Sequence, residues 1–227
     1  VLLDEEQRAR ILTTFATVYL EEEIRREALV RDWGAFVNFL RLAARESGNV
    51  VNYASISREV GLSVPTVKSH YQLLEDMFAG VRIPAWSGSP RRALLSTPRF
   101  VLFDLGVCHA ASGVRPGPDV VRADPGRRFE QWVMLELWRR LQYLGAGRLS
   151  FYRTRGGREI DVILERPGGD VVPLEVKWTA RPVPQDARHV EAFVREHPAA
   201  REGFVVCRCP RPMRLTEHAT AVPWSAL

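Results

Sequence analysis

Two short runs, Glu159-Ile-Asp-Val-Ile-Leu-Glu165 and Val171-Val-Pro-Leu-Glu-Val-Lys177, flank Arg166-Pro-Gly-Gly-Asp170, and that arrangement leaves little choice of local fold. β-Branched residues favour strands and a Pro-Gly-Gly centre favours a tight reversal, so the spacing predicts a β-hairpin. If the loop closes symmetrically, Glu165 faces Val171 and Asp161 comes opposite Glu175. Directly opposed residues have Cβ atoms about 4.5–5.5 Å apart, and like charges so placed repel. A cation is needed beside them. Alternation puts Glu175 and Lys177 on one face, with Val172, Leu174 and Val176 pointing the other way into a core.

Two convergent carboxylates offer the hard oxygen donors that suit Mg²⁺ or Mn²⁺, and such an ion can bind a phosphate and acidify an attacking water. Asp161 and Glu175 are therefore the candidate metal ligands, and Lys177 the group that positions or activates the water. Of 32 basic residues only Lys68 and Lys177 are lysine. Arginine is the default cation of this chain, yet it cannot deprotonate and presents a planar fork, so a lysine at this place invites a chemical reason. The same register sets Glu159 opposite Lys177, which leaves open a cross-strand ion-pair cluster on a solvated sheet face.

Around the hairpin, Phe129, Trp132, Val133, Leu137 and Trp138 predict a helix. Strands are expected at 149–154, 159–164 and 171–177, then a helix over 184–196 and a strand Gly203–Cys207. Further upstream, a short helix carrying Ile56 and Val60 stops at Gly61. Ser63 caps a second helix with Pro65 in its first turn and Val67, Tyr71 and Leu74 inward, which is a helix-turn-helix. Turn residues at Ser87-Gly88-Ser89-Pro90 between apolar runs predict a hairpin wing, so the unit reads as a winged helix. Its outward polar groups are Ser63, Thr66, Lys68, Ser69, His70 and Gln72, with Arg91 and Arg92 on the wing near phosphates. Residues 1–29 read as a connector helix with little to bury against, 30–105 as the winged helix, 106–126 as an irregular linker, and 127–227 as the α/β domain.

The stretches Gly157-Arg-Glu-Ile-Asp161 and Leu174-Glu-Val-Lys177, following a helix that opens with Phe129-Glu130-Gln131, resemble the PD-(D/E)XK phosphodiesterase superfamily. The resemblance implies a restriction-endonuclease-like α/β core with a mixed sheet. It makes Asp161, Glu175 and Lys177 catalytic and Glu130 an auxiliary carboxylate. The aspartate follows Glu-Ile here rather than a proline. With Tyr19-Leu-Glu-Glu-Glu-Ile24, Pro98-Arg-Phe-Val-Leu-Phe-Asp-Leu-Gly106 and Pro173-Leu-Glu-Val-Lys177, nearly the whole chain resembles the C-terminal region of a family of bacterial and archaeal AAA-type ATPases. That implies a preceding ATPase domain, which alone would bind ATP, because no Gly-x-x-x-x-Gly-Lys-Ser/Thr occurs here.

The composition, 46% hydrophobic and 26% charged, suits a folded chain of one or two domains. No apolar run reaches the roughly 18 residues of a membrane span, so a cytoplasmic protein without a membrane partner is expected. A net charge of +5 is compatible with nucleic acid. Cys108, Cys207 and Cys209 are expected in cores or strands, and the five histidines have no metal-ligand spacing. Two functional readings follow. One is a DNA-associated, Mg²⁺- or Mn²⁺-dependent nuclease-like module; the other is a non-catalytic DNA- or protein-binding appendage that regulates or oligomerises the ATPase.

Overall fold

In the computed structural model, residues 3–26, 30, 32–87, 96–154 and 156–227 are described. The chain divides into two compact units: Val1–Arg82 with Thr97–Asp124, and Ile83–Ser96 with Pro125–Leu227.

The first unit is helical. Helix α1 (Glu5–Thr14) starts at a capping box between Asp4 and Gln7 and runs through a π-helical turn, Phe15–Tyr19, into α2 (Leu20–Arg26). The expectation that this segment has little to bury against is corrected here. Ala16, Leu20 and Ile24 are buried with Phe36 and Phe39, whereas Ile11 and Val18 are exposed. A π turn carries more than 3.6 residues per turn and so rotates the apolar stripe. Helix α3 (Trp33–Arg45), capped by Asp32, supplies Phe36, Phe39 and Leu40 to that core.

Helices α4 (Tyr53–Val60) and α5 (Val64–Asp76) follow, separated by a turn in which Gly61 adopts φ 69° and Ser63 accepts from the Thr66 N–H. Glycine enters that left-handed region without the Cβ penalty. Val67, Tyr71 and Leu74 face inward as expected. Tyr71 meets Phe39 and Phe100 edge-on at 5.0 and 4.7 Å. Strands β1 (Gly80–Ile83) and β2 (Arg99–Leu102) pair in a two-stranded sheet. The proposed wing tip, with Gly88, Ser89, Pro90, Arg91 and Arg92, lies outside the described residues. The irregular linker expected over 106–126 is in part helical, in α6 (Leu105–Ala111) and α7 (Pro118–Ala123). Asp104 caps α6, whose Val107, Cys108, Ala110 and Ala111 join the core.

The second unit has the mixed α/β character read from the sequence. Helix α8 (Pro125–Leu144) is followed by β3 (Arg148–Arg153), β4 (Glu159–Glu165) and β5 (Val171–Val176). A short 3-10 turn (Pro184–Ala187), α9 (Arg188–Glu196) and β6 (Gly203–Cys207) come next, with β7 (Met213–Arg214) and β8 (Ala219–Pro223) beyond the last expected strand. The sheet order is β3-β4-β5-β6-β8-β7. The β3–β4, β4–β5 and β7–β8 pairs are antiparallel; β5–β6 and β6–β8 are parallel. Helix α9 buries Val190, Phe193 and Val194, the i, i+3, i+4 stripe of an amphipathic helix. It lies so close to the sheet that a Cβ on Gly203 would come within 2.3 Å of Val190 and 2.7 Å of the Pro173 carbonyl.

Residues read with the winged helix also enter this unit. Ala85 bridges Phe151 in parallel, the Phe151 N–H donates to the Pro84 carbonyl, and Trp86 packs on Tyr152, Phe193 and His197. Among the described residues, no helix is long and apolar enough to cross a membrane.

Candidate active site

The β4–β5 hairpin closes in the symmetric register: Glu165 pairs with Val171, Leu164 with Val172, Ile163 with Pro173 and Val162 with Leu174. The ladder ends one step short of Asp161 and Glu175. Beyond it the Asp161 side chain takes over, its Oδ2 accepting from the Val176 N–H at 2.8 Å. A bulge against β3 sits at the same place. Ser150 pairs with Ile163 and Tyr152 with Ile160, so Asp161 and Val162 together oppose Phe151. The extra residue shifts the alternation, and Ile160 and Ile163 both reach the core around Phe193. Bulges re-aim side chains and often adjoin functional sites.

Glu175 is 7% exposed on a strand buried throughout. Its Oε1 accepts from Lys177 Nζ at 2.7 Å, two residues along the same face. Its Oε2 is buried and, among the described residues, has no hydrogen-bond partner. Burial, followed by the charge of Asp161, pushes the carboxyl up to about 7; Lys177 opposes this and Glu130 adds to it. Burial works against the charge of Lys177, but Glu175, Asp161 and Asp186 outweigh it and raise the ammonium above its ordinary value. The sequence gives no signal for Asp186, since its approach depends on the 3-10 turn between β5 and α9.

The structure thus brings Asp161, Glu175 and Lys177 together and sets Glu130, half-buried on α8, within their electrostatic reach. Glu159 forms an ion pair with Arg153 at 2.8 Å, so the register-based pairing with Lys177 is not what its carboxylate uses there. A group of three ligand-type side chains within 4.8 Å of one another occurs elsewhere, at Glu191, Glu217 and His218. Glu191 is occupied in holding the β8 approach: it accepts from the Thr216 hydroxyl at 2.5 Å and the His218 N–H at 3.0 Å.

On α5, Lys68 is exposed, with its ammonium 5.3 Å from the Tyr53 ring centre. Ser63 and Thr66 hydroxyls bond each other at 2.7 Å, and Ser69 donates to the Pro65 carbonyl. Gln72 is exposed and bonds Asp76. His70, read as outward, is corrected: it is buried against Phe36 and Phe39, and burial lowers its pKa. Arg91 and Arg92 lie outside the described residues. The cysteines are buried and free, as expected.

Residues 1–117 match the family described as Domain of unknown function (DUF8612), and residues 125–227 match Domain of unknown function (DUF4143). No curated protein matches the chain. Among solved structures it is similar to a chain of the refined half-complex from the tetradecameric assembly of Thermococcus gammatolerans McrB AAA+ hexamers with bound McrC. The identity is 11% and the TM-score 0.33, over 83% of this chain and 46% of that one. This chain therefore spans less than half the length of that relative.

Proposed function

The chain belongs to the DUF8612 family, and from that premise we propose that it is the DNA-associated C-terminal region of an AAA-type ATPase, its second unit a PD-(D/E)XK nuclease-like phosphodiesterase core. The observation that carries this reading is the unpartnered Oε2 of Glu175, buried beside Asp161 and Lys177. A buried carboxylate oxygen without a donor is costly unless something cationic meets it. Lys177 already serves Oε1. The hard oxygen donors of Asp161 and Glu175 fit Mg²⁺ or Mn²⁺, and these two residues would hold the ion. When bound, such an ion supplies Lewis acidity toward a phosphodiester and a water. Lys177 keeps its proton and offers a compact positive charge where a phosphate or attacking water would lie. Glu130 adds negative potential from α8.

The α4–turn–α5 pair with β1 and β2 supports a winged helix-turn-helix, with Lys68, Ser63, Thr66 and Ser69 toward DNA; Arg91 and Arg92, expected from the sequence to meet phosphates, lie outside the described residues. ATP would be bound by a separate ATPase domain. The decisive experiment is cleavage of supercoiled plasmid and single-stranded DNA with Mg²⁺ or Mn²⁺. The expected result is metal-dependent cutting that Asp161→Asn and Lys177→Ala both abolish. No cutting by the unaltered chain, or equal cutting by all three, refutes the catalytic assignment.

A second reading is favoured by the 2.7 Å Lys177–Glu175 ion pair, which already neutralises one carboxylate of the site. In that reading the unit is a non-cutting DNA- or protein-binding appendage that regulates or oligomerises the ATPase. Salt-dependent DNA affinity without metal-dependent cleavage distinguishes it.

A further inference from the structure

The second unit carries a row of aromatic rings whose two ends are left open to solvent. Trp178 directly follows Lys177 and is 44% exposed. Its ring meets Phe129 edge-on at 5.3 Å, Phe129 lies nearly parallel to Trp132 at 6.4 Å, and Trp132 meets Trp224 at 5.4 Å. Trp224, at the far end, is also 44% exposed. Phe129 is buried and anchors the row from below. Arg208 lays its guanidinium over the Trp178 ring at 4.1 Å, and its backbone N–H donates to the Thr179 carbonyl at 2.8 Å. Among the described residues, no carboxylate pairs with Arg208.

Burial would be the ordinary purpose of such rings, and it accounts for Phe129 but not for the solvent exposure of Trp178 and Trp224. Exposed apolar area beside charge marks interaction surfaces. Aromatic faces joined to an uncompensated arginine suit unpaired bases, which stack on rings and on guanidinium planes while the cation meets the phosphate backbone. A duplex keeps its base faces inside the stack. Tryptophan and arginine also serve protein interfaces, but the row adjoins the candidate site at two points, Trp178 next to Lys177 and Phe129 next to Glu130. That placement favours a nucleic acid.

We infer that Trp178, Trp132 and Trp224, with Arg208, form a base-stacking platform that binds single-stranded nucleic acid alongside the Asp161–Glu175–Lys177 site. The direction of the strand toward that site rests on the nuclease reading; the stacking itself operates whether or not the site cuts.

The test is fluorescence anisotropy of a labelled oligothymidylate of about a dozen nucleotides, with the full chain and EDTA present so that no metal-dependent cleavage enters. The unaltered chain binds it and its tryptophan emission is quenched. Trp178→Ala weakens binding roughly tenfold, about 1.4 kcal/mol, as expected for one lost stacked base. Trp178→Phe retains most of the affinity, which a merely electrostatic site would not distinguish from alanine. Because Trp178 is half exposed, the thermal midpoint of both variants stays near that of the unaltered chain. With EDTA present binding is read without cleavage, so failure of cleavage and failure of stacking are read separately. Overturning results are no oligothymidylate binding, equal binding by Trp178→Ala and the unaltered chain, or equal affinity for a duplex of the same length. The first of these would leave the row to a protein partner.

Discussion

Asp161 Oδ2 accepts the backbone N–H of Val176, the residue that separates Glu175 from Lys177. One carboxylate of the candidate site thereby fixes the strand segment that carries the other two groups. Removing the acceptor in Asp161→Ala leaves a strand N–H unsatisfied and should cost about 1–3 kcal/mol. Asp161→Asn keeps an acceptor oxygen and should cost less. Urea unfolding of the two variants measures the difference, and equal losses would deny the bond any structural weight.

Glu175 should make stability fall as pH rises. Burial first, then the Asp161 charge, hold its carboxyl at about 7 in the folded chain. In the unfolded chain it returns to its ordinary value, so between the two the folded state holds a proton that the unfolded state does not. Stability is then lost as pH climbs toward about 7, by up to about 3 kcal/mol. Glu175→Gln should flatten that slope in thermal unfolding followed across pH. An unchanged slope would show that Glu175 does not hold the proton.

His70 predicts the opposite dependence. Its buried ring, 5.0 Å from Phe36 and 5.2 Å from Phe39, has a pKa lowered by burial. The unfolded chain takes up a proton first as pH falls, and stability drops below the ordinary histidine range. His70→Leu should remove that acid sensitivity and leave DNA affinity unaltered. A loss of DNA affinity with intact stability would place the ring at the surface.

Glu191 ties α9 to the approach of β8. It accepts from the Thr216 hydroxyl and the His218 N–H, with His218 Nδ1 at 2.9 Å. Burial alone would raise its pKa, yet the His218 and Thr216 hydrogen bonds hold it down at about 2. Glu191→Ala should cost about 2–3 kcal/mol, because several donors lose a charged acceptor at once. A thermal midpoint unchanged in that variant would refute the bracing role.

The β4–β5 hairpin was legible because its information is local: Arg166-Pro-Gly-Gly-Asp170 fixes the loop, and the loop fixes the register from Glu165 to Val162. The bulge at Asp161 was not legible, since it appears only when β3 pairs across Phe151. β8, Ala219-Thr-Ala-Val-Pro223, shows no clear apolar alternation, and it is a strand through its parallel partner β6. Histidine 70 was misplaced by its chemistry, although its spacing from Val67 and Leu74 put it on the buried stripe. The coming together of Asp161, Glu175 and Lys177 needed only hairpin register. The orphaned Oε2 of Glu175 and the reach of Asp186 needed the packed sheet.

The bridge from Ala85 to Phe151 threads a piece of the N-terminal half into the C-terminal sheet. A fragment beginning at Pro125 would lack Trp86 and bare the aromatic surface of Tyr152, Phe193 and His197 to water. No single proteolytic nick can release the second unit whole. Moving this half onto another protein would have to carry the short upstream loop with it.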